Sequence, residues 1–129
     1  MAACPCDSGK PETECCGPLL TRSRAATSPE ELMRSRYCAF VKKDIGYIAD
    51  TTDPQADFDR AAAEEWMNAS EFSRLEVLNA TNEGNKGVVE FKAHYTAAGE
   101  KVVHHEVSKF RKAAGVWYFR DGRVKEVKG

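Results

Sequence analysis

The chain has no apolar run near the ~20 residues that a membrane-spanning helix requires, so no such span is expected. It has almost no net charge. At a formal −1 among 129 residues, no global field draws it to a phosphate backbone or an anionic membrane. Neither nucleic acid nor membrane is therefore an expected partner. Its start, Met1-Ala2-Ala3-Cys4, lacks both a basic segment and an apolar stretch, so no secretory signal is expected and the cytoplasm is the expected compartment. There is no internal repeat, no low-complexity tract and no Cys-x-x-Cys pair, the arrangement used by thioredoxin-like redox motifs. What remains is an ordinary share of apolar residues, 42%, which suits one domain with a short appended module and argues against disorder.

Charge is distributed unevenly. Residues 44–83 carry ten acidic side chains against Arg60 and Arg74, whereas residues 101–129 carry eight Lys or Arg against Glu106, Asp121 and Glu126. Two solvated faces of a compact domain account for this, and a weak polar interaction surface on the basic strands is the alternative.

Up to Gly17 the chain is rich in Cys, Pro and Gly, and residues 21–27 read as a linker. Ser28-Pro29-Glu30-Glu31 then offers an N-cap, a proline at the first helical position and early acidic residues. A helix is predicted from Ser28 to about Lys43, with Leu32, Met33, Tyr37, Phe40 and Val41 as its apolar stripe. Asp44 caps a shorter helix that Thr51-Thr52-Asp53-Pro54 ends, and a third is predicted from about Asp57 to Ala69. Four strand-like runs follow, at 74–80, 87–96, 101–112 and 116–120, joined by short turns that imply antiparallel neighbours. The expected class is α+β.

Cys4, Cys6, Cys15 and Cys16 form a C-x-C-x8-C-C pattern. Four thiolates complete the tetrahedral shell of structural zinc and leave no coordination position open for catalysis. A pair of disulfides fits poorly in a reducing compartment. The segment has no core of its own, so one zinc ion would supply its folding free energy.

Cys4-Pro5-Cys6-Asp7-Ser8-Gly9 with Cys15-Cys16-Gly17 resembles the SEC-C motif, the zinc knuckle at the C-terminus of the SecA translocation ATPase. Leu32-Met33-Arg34-Ser35-Arg36-Tyr37-Cys38-Ala39-Phe40 resembles the first helix of the bacterial YchJ family. Ser108-Lys109-Phe110 and Trp117-Tyr118-Phe119-Arg120-Asp121-Gly122 are similar to that family's end. The resemblance implies a SEC-C-like zinc knuckle over 1–20, a linker over 21–27 and a nuclear-transport-factor-2-like domain over 28–129. That domain is a cone of three helices packed on a curved antiparallel sheet. Two departures stand out: Asp7 replaces the usual glycine, and Lys10-Pro11-Glu12-Thr13-Glu14 replaces a lysine-rich centre. Such an acidic knuckle is not expected to dock on SecB or the ribosome as SecA-type knuckles do.

A cone leaves an interior, and strand parity with the resemblance selects what enters it. His104, Glu106, Ser108 and Phe110 share one face of the third strand, and Trp117, Phe119 and Asp121 share one face of the fourth. Arg36 and Tyr37, or Arg34, reach them from the first helix. Glu106 between apolar walls would have a raised pKa and serve as acid or base; the alternative is a buried pair that fixes sheet to helix. His104 with Glu106 or Asp121 is a candidate dyad, whereas His105 faces the other way and His94 is expected at the surface. Phe91, Tyr95, Phe110, Trp117 and Phe119 are expected mainly in the core, and Cys38 as a buried inert thiol. No complete catalytic constellation is present. The expected function is a partner- or small-ligand-binding module, with an isomerase, dehydratase or hydrolase using carboxylates in the cone as the alternative.

Overall fold

A computed structural model describes residues 3–124. The remainder of the expected 28–129 domain, with Lys125, Glu126 and Lys128 of the charge pattern, lies outside the described residues, as do Met1 and Ala2. After a 3-10 turn at Glu12–Glu14 come α1 (Gly17–Leu20), α2 (Pro29–Lys42), α3 (Ile45–Asp50) and α4 (Arg60–Ala69). The strands β1 (Glu71–Glu83), β2 (Lys86–Ala97), β3 (Glu100–Ala113) and β4 (Val116–Val124) follow, forming one antiparallel sheet in that order. Among the described residues, no helix is long and apolar enough to cross a membrane.

Local chemistry sets the boundaries. The Ser28 hydroxyl accepts from the Glu31 N–H at 3.1 Å, and α2 ends on Lys43 in the left-handed region. Asp44 caps α3 through the Tyr47 N–H. Asp59 caps α4 through the Ala62 N–H, so that helix starts at Arg60 and not near Asp57.

The strands run longer than expected because their turns are tighter. Ala98-Gly99 and Ala114-Gly115 all have positive φ, which is the two-residue hairpin geometry that matches strand twist. An alanine is poorly suited to that region. Ala98→Asn is expected to stabilise the fold by about 0.5–1 kcal/mol, read as a raised denaturant midpoint with an unchanged slope.

Bulges in β1 at Phe72/Arg74 and Val77/Asn79, and in β4 opposite Lys109/Phe110, bend the sheet around α2. At the far edge, Thr52 bridges Phe119: the Phe119 N–H donates to the Thr51 carbonyl and the Asp53 N–H to the Phe119 carbonyl, both at 2.8 Å. The core joins Leu32, Met33 and Tyr37 of α2 to Leu75, Val89, Phe91, Phe110 and Trp117 of the sheet. Cys4, Cys6 and Cys16 belong to this same cluster. The N-terminal segment borrows the cone's core instead of building its own.

Candidate metal centre and cone pocket

The Sγ atoms of Cys4, Cys6, Cys15 and Cys16 all lie within 4.8 Å of one another. Cys6 to Cys15 is 3.6 Å and Cys15 to Cys16 is 3.8 Å. Zinc–thiolate bonds of about 2.3 Å in a tetrahedron require sulfur–sulfur edges of about 3.8 Å, so this donor set fits a single ion. All five cysteines are free thiols. The Ser8 hydroxyl lies 3.1 Å from Cys15 Sγ, and the Cys4 N–H donates to the Lys10 carbonyl to close the loop. Hydrogen bonds from Cys16 and then Cys38 hold Cys6 far below the ordinary thiol range. Hydrogen bonds to Cys38 and Cys6 push Cys16 far above it. A divalent ion held by the four sulfurs would even out these opposed shifts by stabilising every thiolate.

Two contacts seat this centre on the cone. Asp7 adopts φ 62°, the conformation that explains a glycine there, and its carboxylate accepts the Leu75 N–H of β1 at 2.8 Å. An N–H on the sheet edge is thereby satisfied. Arg34, held by Glu30 at 3.0 Å, donates to the Cys6 carbonyl at 2.7 Å; it holds the cysteine loop and does not meet Glu106. Glu12 adds an ion pair with Lys42. A fifth thiol also stands at the centre: fully buried Cys38 of α2 places its Sγ 3.5 Å from that of Cys4. Cys38 is one turn beyond Arg34 on the helix, but nothing in the sequence says that this face meets the knuckle.

Deeper in the cone is a cavity of about 130 Å³ whose lining includes Arg36, Tyr37, His104, Glu106 and Ser108, together with Phe40, Trp66, Phe72 and Phe119. Glu106 sits at its polar end. One carboxylate oxygen is 2.9 Å from His104 Nε2, and the other accepts from the buried Ser108 hydroxyl. Burial alone would push Glu106 up, but the His104 and Ser108 hydrogen bonds and the charges of His104 and Arg36 outweigh it and hold the carboxyl below its ordinary range. The raised pKa expected from apolar walls is thus reversed, and Glu106 is a carboxylate at neutral pH. An ionised carboxylate only accepts, so His104 donates to it through Nε2. The carboxylate lies between the serine and the histidine, which is not the order of a serine-hydrolase relay.

Arg36 lies inside the stripe of α2, only 7% exposed. Its Nη1 donates to the Ile48 carbonyl at 3.1 Å, to Thr51 Oγ1 at 2.7 Å and to Thr52 Oγ1 at 3.2 Å. Phe119 stacks on the guanidinium at 4.6 Å, and burial lowers its pKa to about 10.

The other candidates divide. Tyr37 lines the cavity, and burial pushes its phenol up. Phe110 packs edge-on against Phe119 in the core, outside the cavity lining. Trp117 is likewise buried, with Nε1 unpaired among the described residues. Asp121 is exposed and does not reach the cavity. The bulge explains why: Phe110 pairs with Phe119 but Lys109 with Asp121, so Arg120 is the extra residue and parity flips beyond it. Gly122 takes the inward place, where a Cβ would stand 2.6 Å from Glu106 Oε2. His104 and His105 do face oppositely, His105 bonding Glu90 at 2.8 Å, and His94 bonds Glu76 at 2.6 Å.

Because its folded pKa is depressed, Glu106 stabilises the fold above the ordinary glutamate range, and that contribution is lost as pH falls through the depressed value. Glu106→Gln is expected to flatten the fall in stability below about pH 4.3, measured as urea midpoints at stepped pH.

A family model described as the YchJ middle NTF2-like domain matches residues 28–122. A UPF0225 protein of Geobacter sulfurreducens is 48% identical over 124 residues, spanning 92% of this chain and 77% of its own length. The solution structure of a SEC-C motif containing protein from Rhodopseudomonas palustris superposes with TM-score 0.89 at 48% identity, over 95% of this chain and 98% of that one. The crystal structure of a SEC-C motif containing protein from Psychrobacter arcticus gives TM-score 0.79 at 32% identity, over 98% of this chain and 84% of that one. Sequence match, cysteine cluster and cone agree, and the chain belongs to the YchJ family, with SEC-C cysteines ahead of an NTF2-like domain.

Proposed function

We propose that this protein is a zinc-stabilised binding module of the cytoplasm whose ligand is a small molecule held in the cone. The observation that carries the reading is the convergence of Arg36, His104 and Glu106 on one largely apolar cavity. In this reading Cys4, Cys6, Cys15 and Cys16 hold one zinc ion, whose closed shell braces the wall of the cone and takes no part in chemistry. Its protein contacts are internal, through Asp7, Arg34 and Lys42, so docking on SecB or the ribosome is not part of the proposal. The test is a fragment screen on the reduced, zinc-loaded chain by two-dimensional NMR. Fragments should perturb His104, Phe72 and Phe119 together. Perturbations scattered over the outer sheet face, with none in the cone, would overturn it.

The His104–Glu106 pair supports a second reading, a proton-transferring enzyme of the isomerase or dehydratase kind, with His104 as base. Its signature is deuterium exchange at an acidic C–H of a bound ligand in heavy water, lost in His104→Gln. A ligand that binds in the cone without exchange counts against it.

A further inference from the structure

We propose that the cone cavity is built for a small apolar monocarboxylate, gripped by the Nε–Nη2 edge of Arg36. This rests on the ligand-binding reading above and names the ligand's chemistry. Arg36 is nine-tenths buried, yet one nitrogen, Nη1, makes all of its hydrogen bonds. Nε and Nη2, which carry the other three N–H donors, have no hydrogen-bond partner among the described residues. Neither is among the fully buried atoms that lack a partner, so this edge of a largely buried guanidinium stays open at the cavity for an acceptor to complete. These two nitrogens form the planar fork that matches both oxygens of a carboxylate.

Size and charge narrow the class. A cavity of about 150 Å³ with apolar walls accommodates benzene, and this one is about 130 Å³ with Phe40, Trp66 and Phe72 along it. One ring or a short branched chain fits, and a nucleotide or sugar does not. Aromatic walls beside a carboxylate also suit an ammonium ion. Here, however, both Glu106 oxygens are already engaged by His104 and Ser108, and Arg36 itself occupies the face of Phe119. A second cation would meet the guanidinium. Glu106 in turn disfavours a dianion, because Arg36 is the only Lys or Arg lining the cavity among the described residues. A single carboxylate remains.

The experiment titrates the full zinc-loaded chain with benzoate, benzamide and benzylammonium by calorimetry, in wild type, Glu106→Gln and Arg36→Lys. Benzoate should bind at least tenfold tighter than the other two. Glu106→Gln, which removes one negative charge without changing shape, should tighten benzoate several-fold, and Arg36→Lys should weaken it about tenfold. Should Arg36→Lys fail to fold, the sign of the Glu106→Gln effect still decides the matter. Benzylammonium or benzamide binding in the cone as well as benzoate would overturn the carboxylate assignment and leave the pocket reading standing. Binding of none of the three, to wild type or Glu106→Gln, alongside a fragment screen silent in the cone, would overturn both.

Discussion

Changing Cys6 to serine is expected to abolish stoichiometric metal and to destabilise the whole fold by about 3–5 kcal/mol. Cys6 is fully buried, within 3.6 Å of Cys15, and its loop carbonyl takes the Arg34 hydrogen bond. A serine there would place an unpaired hydroxyl among unneutralised thiols. The loss should reach the cone, because Cys4, Cys6 and Cys16 share a core with Leu32, Phe91 and Phe110. Metal content by plasma emission and urea midpoints give the two readouts. A milder companion is Cys38→Ala. Stoichiometry should persist while zinc affinity falls about tenfold, as when an outer partner of a metal ligand is removed, with Cys38→Ser recovering part of it. Unchanged affinity in Cys38→Ala would reduce that thiol to filler.

Replacing Arg36 with methionine is expected to cost about 3 kcal/mol, since hydrogen bonds to a charged group contribute about 1.5–3 kcal/mol. The guanidinium ties α2 to the end of α3 through Ile48, Thr51 and Thr52, and it supports the Phe119 ring. That segment also pairs with β4, so its loosening should free the far edge of the sheet. The Glu106 carboxyl should move up, because the Arg36 charge is one of the influences holding it down. Carbon-13 titration of Glu106 would show this. A stability within about 0.5 kcal/mol of wild type would mean that the buried guanidinium holds nothing in place.

How much of this was written in the sequence varies by residue. Caps and periods carried α2, α3 and the strand order, because Ser28, Asp44 and alternating apolar residues act locally. The thiol cluster was equally open to view, since four thiols within thirteen residues have few other uses. Arg36 stood out as a charge inside an apolar stripe. Asp121 was misplaced because one bulge, at Arg120, reverses every face beyond it, and a bulge leaves no mark in a period-two pattern. The depressed pKa of Glu106 depends on the partners of its two oxygens, which strand parity does not supply. Cys38 and Asp7 were hidden for another reason. Their partners, Cys4 and the Leu75 N–H, lie thirty or more positions away, so only the docking of the knuckle brings them together.

Thermal unfolding of the zinc-loaded chain, followed at once by indole fluorescence and by zinc release to a coloured chelator, tests the central claim that metal centre and cone share one core. Trp117 lies in the cluster that contains Cys4, Cys6 and Cys16. The two signals should coincide in one transition that chelator shifts downward as a whole. Zinc released well below the indole transition, with the cone unfolding unchanged, would show a separate knuckle and contradict the account.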